Sequence, residues 1–299
     1  MRFWKGHALG NDYLVVDGAD GGTPSAAMVR ALCDRHRGVG GDGVLVAGAG
    51  GDGPGSAPGG AGAAASLRIF NPDGSEAEKS GNGLRIFGAW LHLTGRAGPE
   101  PFRVRLSGET VEMAVEGPGA PGFVLIRVDM GRASFRAGDV GFTAAGADDE
   151  VMGRPLKPAG GAEEVAVHLV SMGNPHCVLF RDVVERSDLL RLGPLVQAEP
   201  AFSAGINVQL ARVLGPGRLE AMIWERGAGE TLASGSSACA VVAAARRSGR
   251  AEGDAFVVAM PGGEVEVELS PGYDVRLRGE AGIVFEGRVR DEVLRGWSR

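Results

Sequence analysis

Two short segments, far apart in the chain, carry the same order of residues and constrain the fold more than any other feature. They are 80-SGNGLRIFGAWLHL-93 and 234-SGSSACAVVAAARR-247, and in both a Ser-Gly pair stands directly before an apolar, helix-like run. A glutamate, Glu76 or Glu230, lies four residues before each serine. Similarity within one chain is typical of duplication. The pattern predicts two related domains that face each other, each offering a serine and main-chain amides at a helix N-terminus.

A Gly-Asn pair also precedes each segment, ending at Asn11 in the first case and at Asn174 in the second. Serine and asparagine are ordinary helix caps, so either segment alone is better interpreted as a capped helix than as a site. The matched pair favours the functional interpretation. The length of 299 residues is also typical of two domains, each with its own core.

Composition narrows the class of function. The formal net charge is −6 and the basic residues are scattered, a pattern that favours neither nucleic acid nor an anionic membrane as partner. We therefore expect a small-molecule ligand. The first residues lack the features of a signal peptide, and no apolar run is long enough to span a bilayer. The chain has three cysteines, Cys33, Cys177 and Cys239, which are too few for a disulfide framework. We expect them to be reduced thiols and the protein to be cytoplasmic, because the cytoplasm keeps thiols reduced.

Apolar periodicity gives a coarse map of the elements. Strand-like stretches dominate, with helix-like patterns over 26–38 and 181–197 besides the two serine-led helices. The strand pattern begins again around Arg132. The segment 48–66 is rich in Gly, Pro and Ala, which predicts an insertion loop with no catalytic role.

Three motifs are rejected. The run 38-GVGGDG-43 has the glycine spacing of a dinucleotide site, but it follows a helix pattern and precedes a strand, so we predict a turn. Lys79-Ser80 lacks the glycine that ends a phosphate-binding loop. Cys33 and His36 have no second pair to complete a zinc site, so no metal is predicted.

Taken together, the motifs resemble those of the diaminopimelate epimerase family over nearly the whole chain. The matching segments, in order, are 7-HALGNDY-13, 37-RGVGGDG-43, 69-IFNPDGSE-76, 80-SGNGLR-85, 127-RVDMG-131, 171-SMGNPHCV-178, 225-ERGAGET-231, 234-SGSSACA-240 and 261-PGG-263. The resemblance implies an α/β (α+β) fold of two pseudo-symmetric domains, each a curled mixed β-sheet around a central helix. It places the domains at 1–130, completed by about 284–299, and at 131–283.

The resemblance also implies a chemistry. The family inverts the α-carbon of an amino acid without a cofactor, using one base to remove the Cα proton and another to return one from the opposite face. Its bases are cysteines, whereas this chain has Ser80 and Ser234 at the two positions. A thiol ionises near pH 8.5, about the range in which an enzyme works, whereas a serine hydroxyl needs another group to take its proton.

Further residues match family positions around an amino-acid substrate. The positions that the resemblance implies for substrate binding are Asn11, Asn71, Gly81, Asn82, Asn174, Asn207, Glu225, Arg226, Gly235 and Ser236. His176 and Lys79 are expected to support the bases. We hypothesise that Lys79 or His176 partners Ser80 and that Glu225 partners Ser234. The family usually has Gln at Gly43, so one polar contact is missing.

Three functions stay open at this point. The first is a diaminopimelate epimerase, or a close relative, that works with hydroxyls or whose serines were introduced in place of cysteines. The second is a different isomerase or dehydratase on the same scaffold, and the third is a non-catalytic amino-acid-binding protein. Relatives commonly form homodimers, so the resemblance also implies a homodimer.

Overall fold

A computed structural model describes residues 1–20, 22–49, 65–161 and 163–297 of the protein. The chain divides into two compact units. The first unit comprises Met1–Asp129 with Gly279–Arg299, and the second comprises Met130–Arg278. Most of the predicted insertion loop over 48–66 lies outside the described residues.

Strands predominate in both units. The elements up to the first boundary are β1 (Arg2–Ala8), β2 (Asn11–Asp17), α1 (Ala26–Cys33), β3 (Val44–Ala49), β4 (Ala65–Phe70), β5 (Glu76–Ala77), α2 (Gly81–Leu93), β6 (Phe102–Arg105), β7 (Thr110–Pro118) and β8 (Phe123–Arg132). Those that follow are β9 (Met152–Leu156), β10 (Val165–Ser171), β11 (Pro175–Phe180), α3 (Arg186–Gln197), β12 (Asn207–Gly215), β13 (Arg218–Glu225), β14 (Gly229–Thr231), α4 (Gly235–Arg247), β15 (Ala255–Met260), β16 (Gly263–Leu269), β17 (Asp274–Arg288) and α5 (Asp291–Trp297). The two boundaries fall within β8 and β17.

The order of strand pairing occurs twice. In the first unit β1 pairs antiparallel with β2, β2 pairs parallel with β3, β3 pairs antiparallel with β4, and β4 pairs parallel with β6. In the second unit β10, β11, β12, β13 and β15 repeat these four pairings in the same sense. A helix follows β5 in one unit and β14 in the other. The mixed α/β fold that the resemblance implies is thus confirmed, and its internal repeat agrees with the matched serine segments.

One helix in each unit is enclosed by core residues. Every residue is buried from Gly81 to Leu91 of α2 and from Gly235 to Ala245 of α4. A helix that is apolar on all sides belongs in a core rather than on a surface. The fit of α2 is close, since a Cβ on Gly88 would lie 2.9 Å from the end of the Met113 side chain. Burial of both helices fixes the positions of their first turns. Within the described residues, no helix is both long and apolar enough to cross a membrane.

Two predicted helices were too long. The pattern over 26–38 gives a helix that ends at Cys33, because the Asp34 carboxylate accepts the main-chain N–H groups of His36 and Arg37 at 2.8 and 2.9 Å and turns the chain. The pattern over 181–197 gives a helix that begins at Arg186. The run 38–43 is irregular, as predicted for a turn.

Candidate active site

Ser80 stands at the start of α2 in the extended conformation of a helix cap, with φ −140° and ψ 116°. Its Oγ accepts the main-chain N–H of Gly83 at 3.0 Å. The hydroxyl therefore stabilises the first turn of the helix, as the capping interpretation of the sequence allowed. A second hydroxyl, that of Tyr13 on β2, lies 3.4 Å from the same Oγ. Ser80 is thus in contact with both the helix start and a neighbouring strand.

Asn11 and Asn82, both predicted to bind substrate, lie together in the first unit. Asn82 Nδ2 donates to Asn11 Oδ1 at 3.0 Å, and Asn11 Nδ2 donates to a carboxylate oxygen of Asp42 at 2.8 Å. The guanidinium of Arg85, which is fully buried, donates to Asn82 Oδ1. These bonds set the orientation of both side-chain amides.

A cluster of charged residues continues from Asp42. One guanidinium nitrogen of Arg35 contacts Asp12 and Asp42 at 2.6 Å each, and the Lys5 ammonium also contacts Asp12. Burial raises the pKa of Asp12, but hydrogen bonds from Arg35 and Lys5 outweigh it and lower the pKa to about 2. Asp12 is therefore ionised at neutral pH and anchors the cations of this cluster.

The side chains of Lys79 and Asn71 contact Glu109 and Ser75, respectively. The Lys79 ammonium lies 3.1 Å from a Glu109 carboxylate oxygen, and the lysine side chain is only 5% exposed. This ion pair is a reason for the charge at position 79 that does not involve Ser80. Asn71 follows β4, and its Nδ2 donates to Ser75 Oγ at 2.9 Å within one turn.

Ser234 occupies the corresponding position of the second unit. It precedes α4 with φ −144° and ψ 124°, and its main-chain oxygen accepts the Ala238 N–H at 3.0 Å. The side chain is buried but forms no capping bond to this helix. Gly235 and Ser236 form the buried first turn behind it. The two serines therefore share backbone geometry but differ in what their hydroxyls contact.

A chain of side-chain hydrogen bonds links the first turn of α4 to two strands. Asn174 Nδ2 donates to Ser236 Oγ at 3.4 Å, and Asn174 Oδ1 lies 2.9 Å from His176 Nε2. Gln209 Nε2 lies 3.1 Å from His176 Nδ1 and donates to Ser237 Oγ at 3.0 Å. A neutral imidazole with its proton on Nε2 satisfies both of its contacts, donating to Asn174 and accepting from Gln209. The chain fixes the Asn174 amide relative to the helix start.

The environment of His176 keeps it neutral. The side chain is fully buried, and desolvation, aided by the positive charge of Arg226, lowers its pKa to about 3. Both ring nitrogens are bonded to residues of the second unit. The geometry thus favours a role in orienting Asn174, whereas the role of proton acceptor for Ser80 stays a prediction without support from these contacts.

Asn207, Glu225 and Arg226 meet where β13 ends. Asn207 Oδ1 accepts the main-chain N–H of Arg226 at 2.8 Å, and its Nδ2 donates to the Pro175 carbonyl at 2.9 Å. The exposed guanidinium of Arg226 donates to the Ala204 carbonyl at 3.2 Å. The buried Asn207 side chain therefore holds the chain beyond β13 in place, with the ionic group of Arg226 directed to the surface of this unit.

The two glutamates that precede the serines have matching partners. Arg68 donates to both carboxylate oxygens of Glu76, at 3.0 and 2.7 Å, and Arg186 donates to both of Glu230, at 2.7 Å each. These pairs are exposed, so each adds little to stability. They fasten the segment before each helix and account for the repeated glutamate without a catalytic role.

Several residues of these networks were not predicted as site residues, among them Gln209, Asp42 and Tyr13. Gln209 has a signal in the sequence, because it is a polar residue inside the apolar strand pattern over 205–214. Asp42 lies within the glycine-rich run that was predicted to be a turn and that matches the family, but no role was predicted for this residue. Tyr13 gives no signal, since a tyrosine in a strand is ordinary. Among the described residues, no group of three or more His, Cys, Asp or Glu side chains is arranged to hold a metal ion.

Comparison with known proteins gives concordant matches. The sequence profile of the family described as diaminopimelate epimerase matches residues 3–136 and 168–283. A diaminopimelate epimerase of Synechococcus sp. is 40% identical over 97% of this chain and 99% of its own length. Diaminopimelate epimerase 2 of Nostoc sp. is 36% identical over 98% of this chain and 97% of its own. A probable proline racemase of Agrobacterium radiobacter, with bound carbonate, shares the fold at a TM-score of 0.68 and 16% identity, covering 97% of this chain and 93% of its own.

Proposed function

Because this chain belongs to the diaminopimelate epimerase family, we propose that it is an isomerase that interconverts L,L- and meso-diaminopimelate without a cofactor. The observation that carries the proposal is that similarity extends over nearly the whole chain and includes both serine-led helices. The substrate has an α-ammonium, an α-carboxylate and a distal carboxylate. Those groups call for amide donors and for ionic side chains, and the family positions occupied by Arg226 and Glu225 provide the latter.

In the proposed reaction Ser80 and Ser234 take the two base positions. One Oγ removes the α-proton, leaving the electron pair on Cα, and the other hydroxyl delivers a proton to the opposite face. Main-chain amides in the first turns of α2 and α4 stabilise the charge that develops, because a helix N-terminus presents unpaired N–H groups. A serine hydroxyl is much less acidic than a thiol, so each serine requires a partner that holds its proton.

Exchange of the α-proton with solvent tests the proposal. The protein is incubated in deuterated water with L,L- or meso-diaminopimelate, and deuterium at Cα is followed by proton NMR while chiral chromatography follows the isomers. We expect inversion accompanied by one solvent deuteron at the inverted carbon. A product of changed mass would instead indicate the isomerase or dehydratase alternative. Binding without exchange would indicate an amino-acid-binding protein.

Serine variants make the test specific. Ser80→Ala and Ser234→Ala are each expected to abolish inversion. Ser25→Ala is the matched control, because Ser25 caps α1 by accepting the Met28 N–H at 3.3 Å, as Ser80 caps α2. The control loses a comparable cap, worth about 1 kcal/mol, but no base. Combining Ser80→Cys with Ser234→Cys is expected to accelerate exchange sharply, and absence of any gain would contradict the proposal.

The compartment and the assembly are part of the same proposal. Cys33, Cys177 and Cys239 are buried thiols, which is compatible with the reducing cytoplasm. A homodimer is proposed on the family resemblance and is checked by sedimentation or light scattering of the purified protein.

A further inference from the structure

Ser80 has a second hydroxyl beside it that the family resemblance does not assign. Tyr13 Oη lies 3.4 Å from Ser80 Oγ, and the two residues are 67 positions apart in the sequence. Tyr13 is only 7% exposed. The separation exceeds the usual 2.7–2.8 Å of an O–H···O bond, but such contacts at catalytic groups often tighten when substrate binds.

Gly43 leaves the space that the Tyr13 ring fills. A Cβ at position 43 would lie 2.5 Å from Tyr13 Cε1 and 2.4 Å from the Phe70 carbonyl oxygen. Neither distance is compatible with a side chain there, so the glycine is required by space rather than by backbone conformation. Position 43 is where the family usually carries Gln. The Tyr13 ring thus lies against Gly43, where the family usually has the polar side chain of Gln. The Tyr13 hydroxyl contacts Ser80 Oγ.

The groups first considered as partners of Ser80 are held elsewhere. The Lys79 ammonium is in contact with Glu109, and both ring nitrogens of His176 are bonded to Asn174 and Gln209. Tyr13 presents an ionisable hydroxyl directly to Ser80 Oγ, while the Gly83 N–H donates to the same oxygen. That N–H bond stabilises negative charge on Oγ and leaves its proton directed to another acceptor.

We propose that Tyr13 is a further catalytic residue, which relays the proton of Ser80; the role rests on the proposed epimerase function. In the forward step the Tyr13 phenolate takes the Ser80 hydroxyl proton while Ser80 Oγ takes the α-proton. The C–H electron pair stays on Cα, the serine ends as a hydroxyl, and the tyrosine ends as a phenol. The reverse sequence delivers a proton to Cα and regenerates the phenolate, so no oxidant or co-reactant is needed.

A double-mutant cycle on exchange separates this role from packing. Tyr13→Phe removes one oxygen and keeps the ring that fits against Gly43. In the wild-type background we expect exchange to fall at least about 100-fold, the lower range for acid-base groups. In the Ser80→Cys background the same change should cost less than about threefold, because a thiol ionises without a relay. Equal losses in both backgrounds would overturn the proposal. Tyr273→Phe, at the other tyrosine of the chain, should leave exchange unchanged.

A second cycle does not depend on activity. The urea midpoints of Tyr13→Phe, Ser80→Ala and the double variant report whether the hydroxyls interact, and we expect the double variant to shift by less than the sum of the single shifts. Additive shifts would overturn the contact and with it the relay. Coupled midpoints in a protein that exchanges no α-proton would instead refute the epimerase function, and the catalytic role of Tyr13 would fall with that function.

Discussion

The buried neutral His176 makes a quantitative prediction about stability and pH. Its ordinary pKa is about 6.5, whereas burial lowers the value to about 3 in the folded protein. Above pH 6.5 neither the folded nor the unfolded chain binds a proton at this residue. Between about 6.5 and 3 only the unfolded chain does, so the free energy of unfolding falls as the pH falls.

The magnitude follows from the difference between the two pKa values. Each pH unit in this window costs about 1.4 kcal/mol, so acidification from pH 6.5 to 5 should remove about 2 kcal/mol, and the full window about 5 kcal/mol. His176→Gln removes the titrating group and should remove this slope. His168, whose pKa is also lowered by burial, contributes in the same direction but is present in both proteins. Asp12 does not interfere between pH 7 and 5, because its pKa falls from 3.8 in the unfolded chain to about 2 in the folded protein, so its contribution to stability changes only below about pH 4.

The assay is urea unfolding of the wild-type protein and of His176→Gln at several pH values from about 7 to 5. The comparison uses the pH dependence of the free energy of unfolding rather than its absolute value, because the substitution also breaks the bond to Asn174. Parallel pH dependence in the two proteins would show that His176 is accessible to protons, and would remove the physical basis for its orienting role. Direct NMR titration of the imidazole should show a neutral ring throughout this range.

Three further predictions concern single side chains. Gln209→Leu should reduce α-proton exchange about tenfold and stability by about 1–3 kcal/mol, because the buried His176 Nδ1 loses its donor; exchange and urea unfolding measure both. Lys79→Met should change exchange less than about threefold, since the ammonium is held by Glu109, and a larger loss would restore Lys79 as a partner of Ser80. Burial raises the pKa of Cys33 to about 11, so at pH 8 iodoacetamide should label it only in the unfolded protein, as mass spectrometry will show.

The sequence predicts the repeat well because the repeat is local. A serine, a glycine and an apolar run follow one another directly, and burial of α2 and α4 on all sides follows from their composition. The helix ends were predicted less well. Asp34 turns the chain after Cys33 by a side-chain bond to Arg37, and such competition between side chain and helix is invisible to apolar periodicity.

The hydrogen-bond networks were predicted only in part, because their members are distant in sequence. Asn11 and Asn82 were both expected near the site, yet the charge that orients them comes from Asp42. The contact between Tyr13 and Ser80 depends on the pairing of strands around Gly43, which no single segment specifies. The family pattern thus predicts which residues bind the substrate, whereas the groups that orient those residues become visible only in the folded chain.

The two units share a strand order, but the residues that contact the starts of α2 and α4 differ in charge, and this difference predicts unequal roles for the two serines. In the first unit Asn82 of α2 is bonded to the charged Arg85 and, through Asn11, to Asp42, whereas the second unit uses a neutral imidazole and amides. Ser80 also gives its Oγ to the Gly83 N–H, a bond that Ser234 does not form with α4.

The single cysteine variants should therefore differ. Ser80→Cys replaces a capping oxygen by a poorer acceptor and should lower stability by about 0.5–1 kcal/mol, while Ser234→Cys loses no cap. In exchange assays only the first change should make Tyr13 dispensable, since the thiol no longer needs the phenol to hold its proton. Equal stability of the two variants, together with equal dependence on Tyr13, would mean that the serines are equivalent and that the capping bond and the phenol have no part in the chemistry.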